Sequence, residues 1–577
     1  MPEADSRELA ALLAPARCVP MHAKEGWTAA DLYADAAQAC LEALKSLLAG
    51  KPEGRALIQV AIPDREEGAL LAGLSAMLKT AAREMPRFDG QVILMAPRTD
   101  AAEAARKLNA DRFRLNDSVI RYTEGERLVE RWREIPPAHG ETSSAFQDDG
   151  VYLITGGLGG LGRLFVREIL ARTRSAKVVV SGRSDPSLAI RKTLEKLNED
   201  AVRVTYRRLD LTDGEQVHRA LAEIREAFGR LDGILHAAGM VSDHLLLRKD
   251  PEEFLRVLSP KVQGTWNLDA ASRDFALDFF VLFSSVTSAL GNAGQIDYAA
   301  GNAFMDHFAG HRNRLAASGE RRGRAVSIHW PIWQDGGMRV DAAGLDQLRR
   351  SFGMRPLRAR TGLQAFHHCL AVGHDRVLVL EGHGTRMREA LAGKPDQVTS
   401  QAHASVASTI SITLDASSRS TREPTLEFLS REISTVLKIP AHQIEPRVPF
   451  ENFGIDSMLA LTLVNRLEKT FGSLSKTLFF EYQNLHDLVA HFLEAHGSKL
   501  ETMFGGSSEA DAAAAQSALP STDRTGAAPG IRRLGRPALA SVSQPQPEGR
   551  SAPADEPIAI VGLSGRYPEA ADLHQFW

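Results

Sequence analysis

The 577-residue chain has only three cysteines, Cys18, Cys40 and Cys369, odd in number and far apart. That excludes a disulfide framework and a cysteine-built zinc site, and it suits a reducing compartment, so the cytoplasm is the expected location. No apolar run approaches the ~20 residues that a membrane span needs. The opening Met-Pro-Glu-Ala-Asp-Ser is acidic and lacks the basic and apolar regions of a signal peptide. An excess of one charge is missing too: 69 Lys and Arg stand against 72 Asp and Glu, a formal net charge of −3. Nothing in that balance calls for a nucleic acid or an acidic membrane as partner. Tyrosine (7) and tryptophan (6) are sparse, yet hydrophobic residues make up 44%, enough for several buried cores. A chain of this length is expected to hold about three or four domains.

What is present divides the chain. Residues 1–147 read as α/β, with strand-like runs Arg55 to Ile62 and Gln91 to Met95 around a helical stretch from Gly68 to Glu84. No glycine-rich turn follows either strand, so this part has no phosphate cradle. Residues 148–390 alternate strand, turn and helix, which predicts a doubly wound parallel sheet with helices on both faces. Its expected strands are Val151–Thr155, Lys177–Ser181, a third ending near Asp210, Leu231–Leu235, Phe279–Phe283, Val326–His329 and Arg376–Leu380; its first helix runs from Arg163 to Thr173. Residues 391–420 and 498–554 are rich in small and polar residues and read as linkers, the second disordered. Between them, 421–497 reads as a small all-α unit, and 555–577 opens a new motif.

The turn Thr155-Gly156-Gly157-Leu158-Gly159-Gly160-Leu161-Gly162 lies between a strand and an amphipathic helix. Such a turn lets backbone N–H groups and the helix N-terminus meet a pyrophosphate, although alone it can be a tight turn and nothing more. The next strand ends Ser181-Gly182-Arg183-Ser184, without the carboxylate that would favour NAD. Arg183 can pair with a 2′-phosphate, so the expected cofactor is NADPH, with Asp185 weighing against it and a solvated surface arginine as the alternative. Asp210 and Leu211 could contact the adenine, and His236-Ala237-Ala238-Gly239 would let backbone pass close to the cofactor.

Downstream stand Ser285, Tyr298 and Asn302, after the strand Phe279–Phe283, with Lys261 before it in Ser259-Pro-Lys261-Val-Gln-Gly-Thr-Trp. Each alone could be structural; together, downstream of the glycine turn, they are the parts for reducing a carbonyl. Tyr298 can act as general acid, Ser285 can hydrogen-bond the carbonyl oxygen, and the Lys261 ammonium is expected to lower the phenol's pKa. Asn302 can hold a water in the proton path.

This arrangement resembles the short-chain dehydrogenase/reductase superfamily, and within it the ketoreductase domain of modular type I polyketide synthases. The superfamily's usual lysine, four residues after the tyrosine, is replaced by Asn302, and a lysine stands at Lys261; that exchange is the polyketide ketoreductase pattern. The resemblance implies that residues 1–147, with Ala69–Lys79 and Val119–Trp132, are a non-catalytic, truncated Rossmann-like subdomain that braces the catalytic half. It implies a D-hydroxyl product, because Met240-Val241-Ser242-Asp243 keeps one aspartate of that class's loop, and Leu290 replaces the tryptophan of the opposite class.

Phe428 to Leu437 reads as a helix, and Gly454-Ile455-Asp456-Ser457 opens another with Leu459, Leu463 and Leu467 at helical spacing. An Asp-Ser at a helix start is ordinarily a cap, but the surrounding helical unit resembles an acyl carrier protein of four helices. The resemblance implies 4′-phosphopantetheine on Ser457, a phosphopantetheinyl transferase, an acyl-thioester substrate, and neighbouring ketosynthase and acyltransferase domains. Residues 555–577 resemble the start of a ketosynthase. A carrier scaffold with a silent reductase, and a fatty-acid megasynthase reductase, are the competing readings.

Overall fold

In a computed structural model of the chain, the described residues are 3–135, 144–392, 417–504 and 558–563, less positions 22, 51–53, 66, 86, 339, 341, 438, 454 and 456. Strands form where β-branched and aromatic residues run together. The first sheet has the order β1-β2-β3-β4, from β1 (Ala56–Pro63), β2 (Phe88–Met95), β3 (Val119–Thr123) and β4 (Glu126–Val129). Its first three strands are parallel and β4 returns antiparallel.

The second sheet takes β5 (Trp132–Ile135), β6 (Val151–Thr155), β7 (Lys177–Gly182), β8 (Val204–Arg208), β9 (Gly233–His236), β10 (Phe279–Ser285), β11 (Arg324–Trp330), β12 (Arg376–Glu381) and β13 (Ile558–Leu563). Their order is β5-β13-β12-β11-β10-β9-β6-β7-β8. From β12 through β8 every neighbour is parallel. Strand β13 pairs antiparallel with β12 and β5. The chain order reverses between β6 and β9, and such a switch point opens a crevice at the carboxyl ends of the strands. The expected doubly wound sheet is therefore present.

Four boundaries differ from the sequence reading. Strand β5 and Phe146 belong to the large sheet and its core, so the end of the expected 1–147 subdomain packs with the catalytic half, and the smaller sheet ends at Val129; Phe146 packs against Tyr152, Phe279 and Phe366. The first catalytic-half helix starts at Gly160, inside the glycine turn. The first carrier helix, Ser417–Leu437, begins within the expected linker. The last, Leu485–Phe504, runs beyond 497 because Leu500 is buried and Phe504 packs on the carrier core. With Ser457–Phe471 and Leu478–Glu481 these make four helices around their own core.

The two halves of the reductase share one hydrophobic core. Tyr33, Leu74 and Leu78 of the N-terminal half lie in the same cluster as Ala300, Phe304 and Phe308 of the second. The Tyr33 hydroxyl donates to the Ala300 carbonyl at 2.8 Å. Among the described residues, no helix is long and apolar enough to cross a membrane.

Candidate active site

The glycine turn sits at the switch point, between β6 and helix Gly160–Arg172. Gly156 has φ +65°, and a Cβ there would stand 2.9 Å from the Ala238 Cα. A side chain would therefore be strained and would also fill the space where the turn meets the strand-end segment Ala237–Gly239. Gly160 is excluded from substitution by packing instead: its Cβ would lie 2.0 Å from the Gly336 carbonyl oxygen. Gly159 caps the helix with extended backbone and no side chain, so among the described residues no side chain caps the first N–H groups of the helix, which can meet an anion. Leu158 and Leu161 pack against the core. Thr155 is fully buried and shapes the turn from within, donating to His236 Nδ1 at 2.7 Å and accepting from Ala238 N at 3.3 Å. Ser181 is buried, and its carbonyl accepts from Gly156 N at 2.9 Å.

Arg183 and Ser184 are exposed at the end of β7. Arg208, at the end of the neighbouring strand, donates to the Arg183 carbonyl at 3.3 Å and pairs with Asp185 at 3.2 Å. The carboxylate that weighed against a phosphate is thus occupied, and a second guanidinium stands beside Arg183. Sequence reading passed over Arg208; its signal was its place at the end of the strand parallel to that of Arg183. Asp210 turns its Oδ1 back to Thr212, accepting from its N and Oγ1 at 3.0 and 2.8 Å, and Leu211 is buried.

On the other side of the crevice, Ser285 ends β10 and caps the short helix Val286–Leu290, its Oγ accepting from Thr287 N at 3.2 Å. Tyr298 and Asn302 lie one turn apart on helix Ile296–Ala317. Asn302 Nδ2 donates to the Tyr298 carbonyl at 2.7 Å, while its buried Oδ1 has no partner among the described residues. Lys261 comes from helix Pro251–Ala271 and is 3% exposed. Its Nζ lies 5.5 Å from the Tyr298 ring centroid and donates to the Phe283 carbonyl at 3.2 Å. Gly239 clears the path of this side chain, since a Cβ there would meet Lys261 Cε at 2.9 Å. His236 Nε2 donates at 3.2 Å to the carbonyl of Pro260, the residue before Lys261. Burial, helped by Lys261, pushes His236 down to about 3, so it is neutral and its Nδ1 can accept from Thr155.

Burial pushes Lys261 down to about 8, with Asp306 opposing. It pushes Tyr298 up; Ser285 and Asn302 pull the other way and Asp243 adds to the rise. The expected lowering of the phenol by Lys261 is therefore not what the structure shows. Burial takes water from around the phenolate, and that cost exceeds what its neighbours return. The outcome is a phenol that stays protonated at neutral pH beside a buried cation.

The KR domain model matches residues 150–335, and the phosphopantetheine attachment site model matches residues 427–492. Polyketide synthases PksL and PksN of Bacillus subtilis are 37% and 35% identical to this chain, over 93% and 92% of it. The chain spans only 12% and 10% of the length of those two relatives. A crystal structure of a ketoreductase domain from the bacillaene assembly line is 39% identical, with a TM-score of 0.65 over 67% of this chain and 92% of that one.

This chain belongs to the polyketide synthase ketoreductases.

The ketoreductase unit makes it an oxidoreductase that works with a nicotinamide cofactor, and a carrier domain of the phosphopantetheine attachment family follows. The glycine turn fits such a cofactor, because the Gly156 conformation and the bare helix N-terminus leave a cradle that a side chain would fill. The ketoreductase places Asp243 on an exposed loop after β9, where both carboxylate oxygens accept from Gln295 Nε2 at 3.1 Å. Gln295 Oε1 in turn accepts from Thr287 Oγ1 at 3.3 Å, which joins the Asp243 loop to the cap at Ser285. Leu290 packs with Met354 and Leu380. In the carrier, Ser457 is the first residue of helix Ser457–Phe471, anchored by buried Ile455, Leu463 and Leu467. Gly454 and Asp456 lie outside the described residues.

Proposed function

We propose that this ketoreductase reduces a 3-oxoacyl thioester, held on the phosphopantetheine of Ser457, to the 3-hydroxyacyl thioester with NADPH, forming the D-hydroxyl. The observation that carries the reading is the half-buried Tyr298 grouped with buried Lys261 and Asn302 beside Ser285, at the strand ends that also carry the glycine turn. Arg183, with Arg208 against its carbonyl, favours a 2′-phosphate, since a guanidinium suits that dianion. NADPH would supply hydride to the carbonyl carbon. Tyr298 gives its proton to the carbonyl oxygen, which its raised pKa permits across the neutral range. Ser285 Oγ, on the strand end, donates a hydrogen bond to that oxygen as charge builds. Lys261 then stabilises the phenolate left behind, and Asn302 Oδ1 can take the water that returns a proton.

A phosphopantetheinyl transferase and neighbouring ketosynthase and acyltransferase domains are the partners this reading requires. Residues 555–577 are read as the opening of a ketosynthase on sequence alone. The test is NADPH oxidation, followed by absorbance, with a 3-oxoacyl thioester. Tyr298→Phe should lower turnover by about 10²–10⁴-fold with NADPH binding kept. Binding without turnover in the native chain would leave only the carrier role at Ser457.

A further inference from the structure

The buried carboxylate of Glu84 plays no part in the chemistry above, and it belongs to the half of the reductase that carries no cofactor cradle. It ends helix Leu74–Glu84 and is fully buried. Its two oxygens reach into two different active-site loops. Oε2 accepts from Leu246 N at 2.6 Å, in the loop that carries Asp243, and Oε1 accepts from Gly294 N at 2.9 Å, in the loop before the Tyr298 helix. The same two loops are joined directly, His244 N donating to the Gly294 carbonyl at 3.0 Å.

A second buried group continues the connection. Lys249 and Asp297 form an ion pair at 2.8 Å with both side chains at 0% exposure. Lys249 Nζ also donates to the Ser242 carbonyl, next to Asp243. Asp297 Oδ1 accepts from Tyr298 N at 2.8 Å. The helix of Glu84 also approaches the loop after Ser285 closely. Gly291 has φ +70°, and a Cβ there would stand 2.7 Å from the Lys79 carbonyl. Arg83 Nε donates to the Leu290 carbonyl at 3.2 Å.

We infer that Glu84 is a positioning residue for the reduction: with Lys249 and Asp297 it fixes the spacing between the Asp243 loop and Tyr298, and so the face of the carbonyl that is presented to hydride. The inference rests on the proposed ketoreduction. The chemistry requires an acid at Glu84. Two backbone N–H groups need two acceptors, and a glutamine would supply one acceptor and turn a surplus donor toward the second N–H. Burial pushes Glu84 up to about 7, while the two N–H groups and Lys249 pull it down. Burying an acid costs desolvation, which the two N–H groups and Lys249 offset, and the two loops are what it holds.

The experiment compares the full chain with Glu84→Gln, using NADPH and a racemisation-resistant 3-oxoacyl thioester. The readouts are kcat, KM, NADPH Kd, the enantiomer ratio of the product, and amide hydrogen exchange at Leu246 and Gly294. The expected result is an enantiomer ratio reduced about tenfold and a lower kcat, NADPH Kd unchanged, with faster exchange at both amides. An unchanged ratio with only lower thermal stability would mean that Glu84 is merely structural and would overturn the inference. If the native chain does not turn over, the functional reading has failed. The exchange data then still decide whether Glu84 holds the two loops, and unchanged exchange overturns that too. Should Glu84→Gln not fold, Asp297→Asn keeps the acceptor for Tyr298 N and breaks only the pair with Lys249; it should give the same loss of ratio, and native selectivity in it overturns the inference.

Discussion

Lys261 has a folded pKa of about 8 against an ordinary value of 10.5. Its ammonium is the form that can stabilise a developing phenolate, so kcat/KM should fall as pH rises through about 8. Stability should move in the opposite direction. The folded state gives up this proton before the unfolded state does, so between those two pKa values the unfolded chain binds more protons, and Lys261 makes the fold more stable as pH rises. A pH–rate profile recorded beside thermal melts separates the two: activity lost above pH 8 without a fall in melting temperature is the expected pair. At the cofactor end, Arg183→Ala and Arg208→Ala should each raise the NADPH Kd about tenfold or more while leaving NADH binding nearly unchanged. Isothermal titration with both nucleotides checks this.

At the level of elements, the crevice depends on a glycine turn packed against a second glycine segment. Gly160→Ala would press a Cβ against the Gly336 carbonyl, and backbone cannot swing away as a side chain can. Overpacking of this kind costs ~1–3 kcal/mol. Trp330 and Trp333 lie in ring contact near that segment, and helix 417–437 through helix 485–504 of the carrier contain no tryptophan. Denaturant unfolding followed by tryptophan emission should therefore show an earlier transition for Gly160→Ala. The carrier's unfolding, followed by far-ultraviolet circular dichroism of the isolated unit, provides the reference.

On the scale of the whole molecule, the N-terminal half and the catalytic half behave as one body, because Tyr33, Leu78, Phe304 and Phe308 share a core and Glu84 crosses between them. The carrier has a core of its own, built on Leu463, Leu467, Leu488 and Phe492. Its backbone touches the N-terminal half of the reductase where Lys476 N donates to the Glu84 carbonyl at 3.0 Å. A fragment of residues 417–504 should fold alone with cooperative helical melting, whereas residues 1–131 expressed alone should aggregate or stay unfolded. Circular dichroism of both fragments checks this.

The sequence by itself determined the doubly wound sheet, the glycine turn, the group of Ser285, Tyr298, Asn302 and Lys261, and the helical carrier. These are local patterns: strand and helix periodicities, a turn that only glycine suits, and reactive side chains at spacings that one strand and one helix place together. The tertiary structure decided what no local pattern encodes. It set the phenol of Tyr298 high rather than low, because desolvation depends on everything packed around the ring. It assigned β5 to the large sheet, since pairing with a strand far along the chain leaves no mark in four residues. It placed Arg208 beside Arg183 and occupied Asp185. It also brought Glu84, which ends a helix in the half without a cofactor cradle, onto the loops of Asp243 and Tyr298, more than 150 positions away in the chain. Such contacts arise from packing between halves, and only the folded chain brings them together.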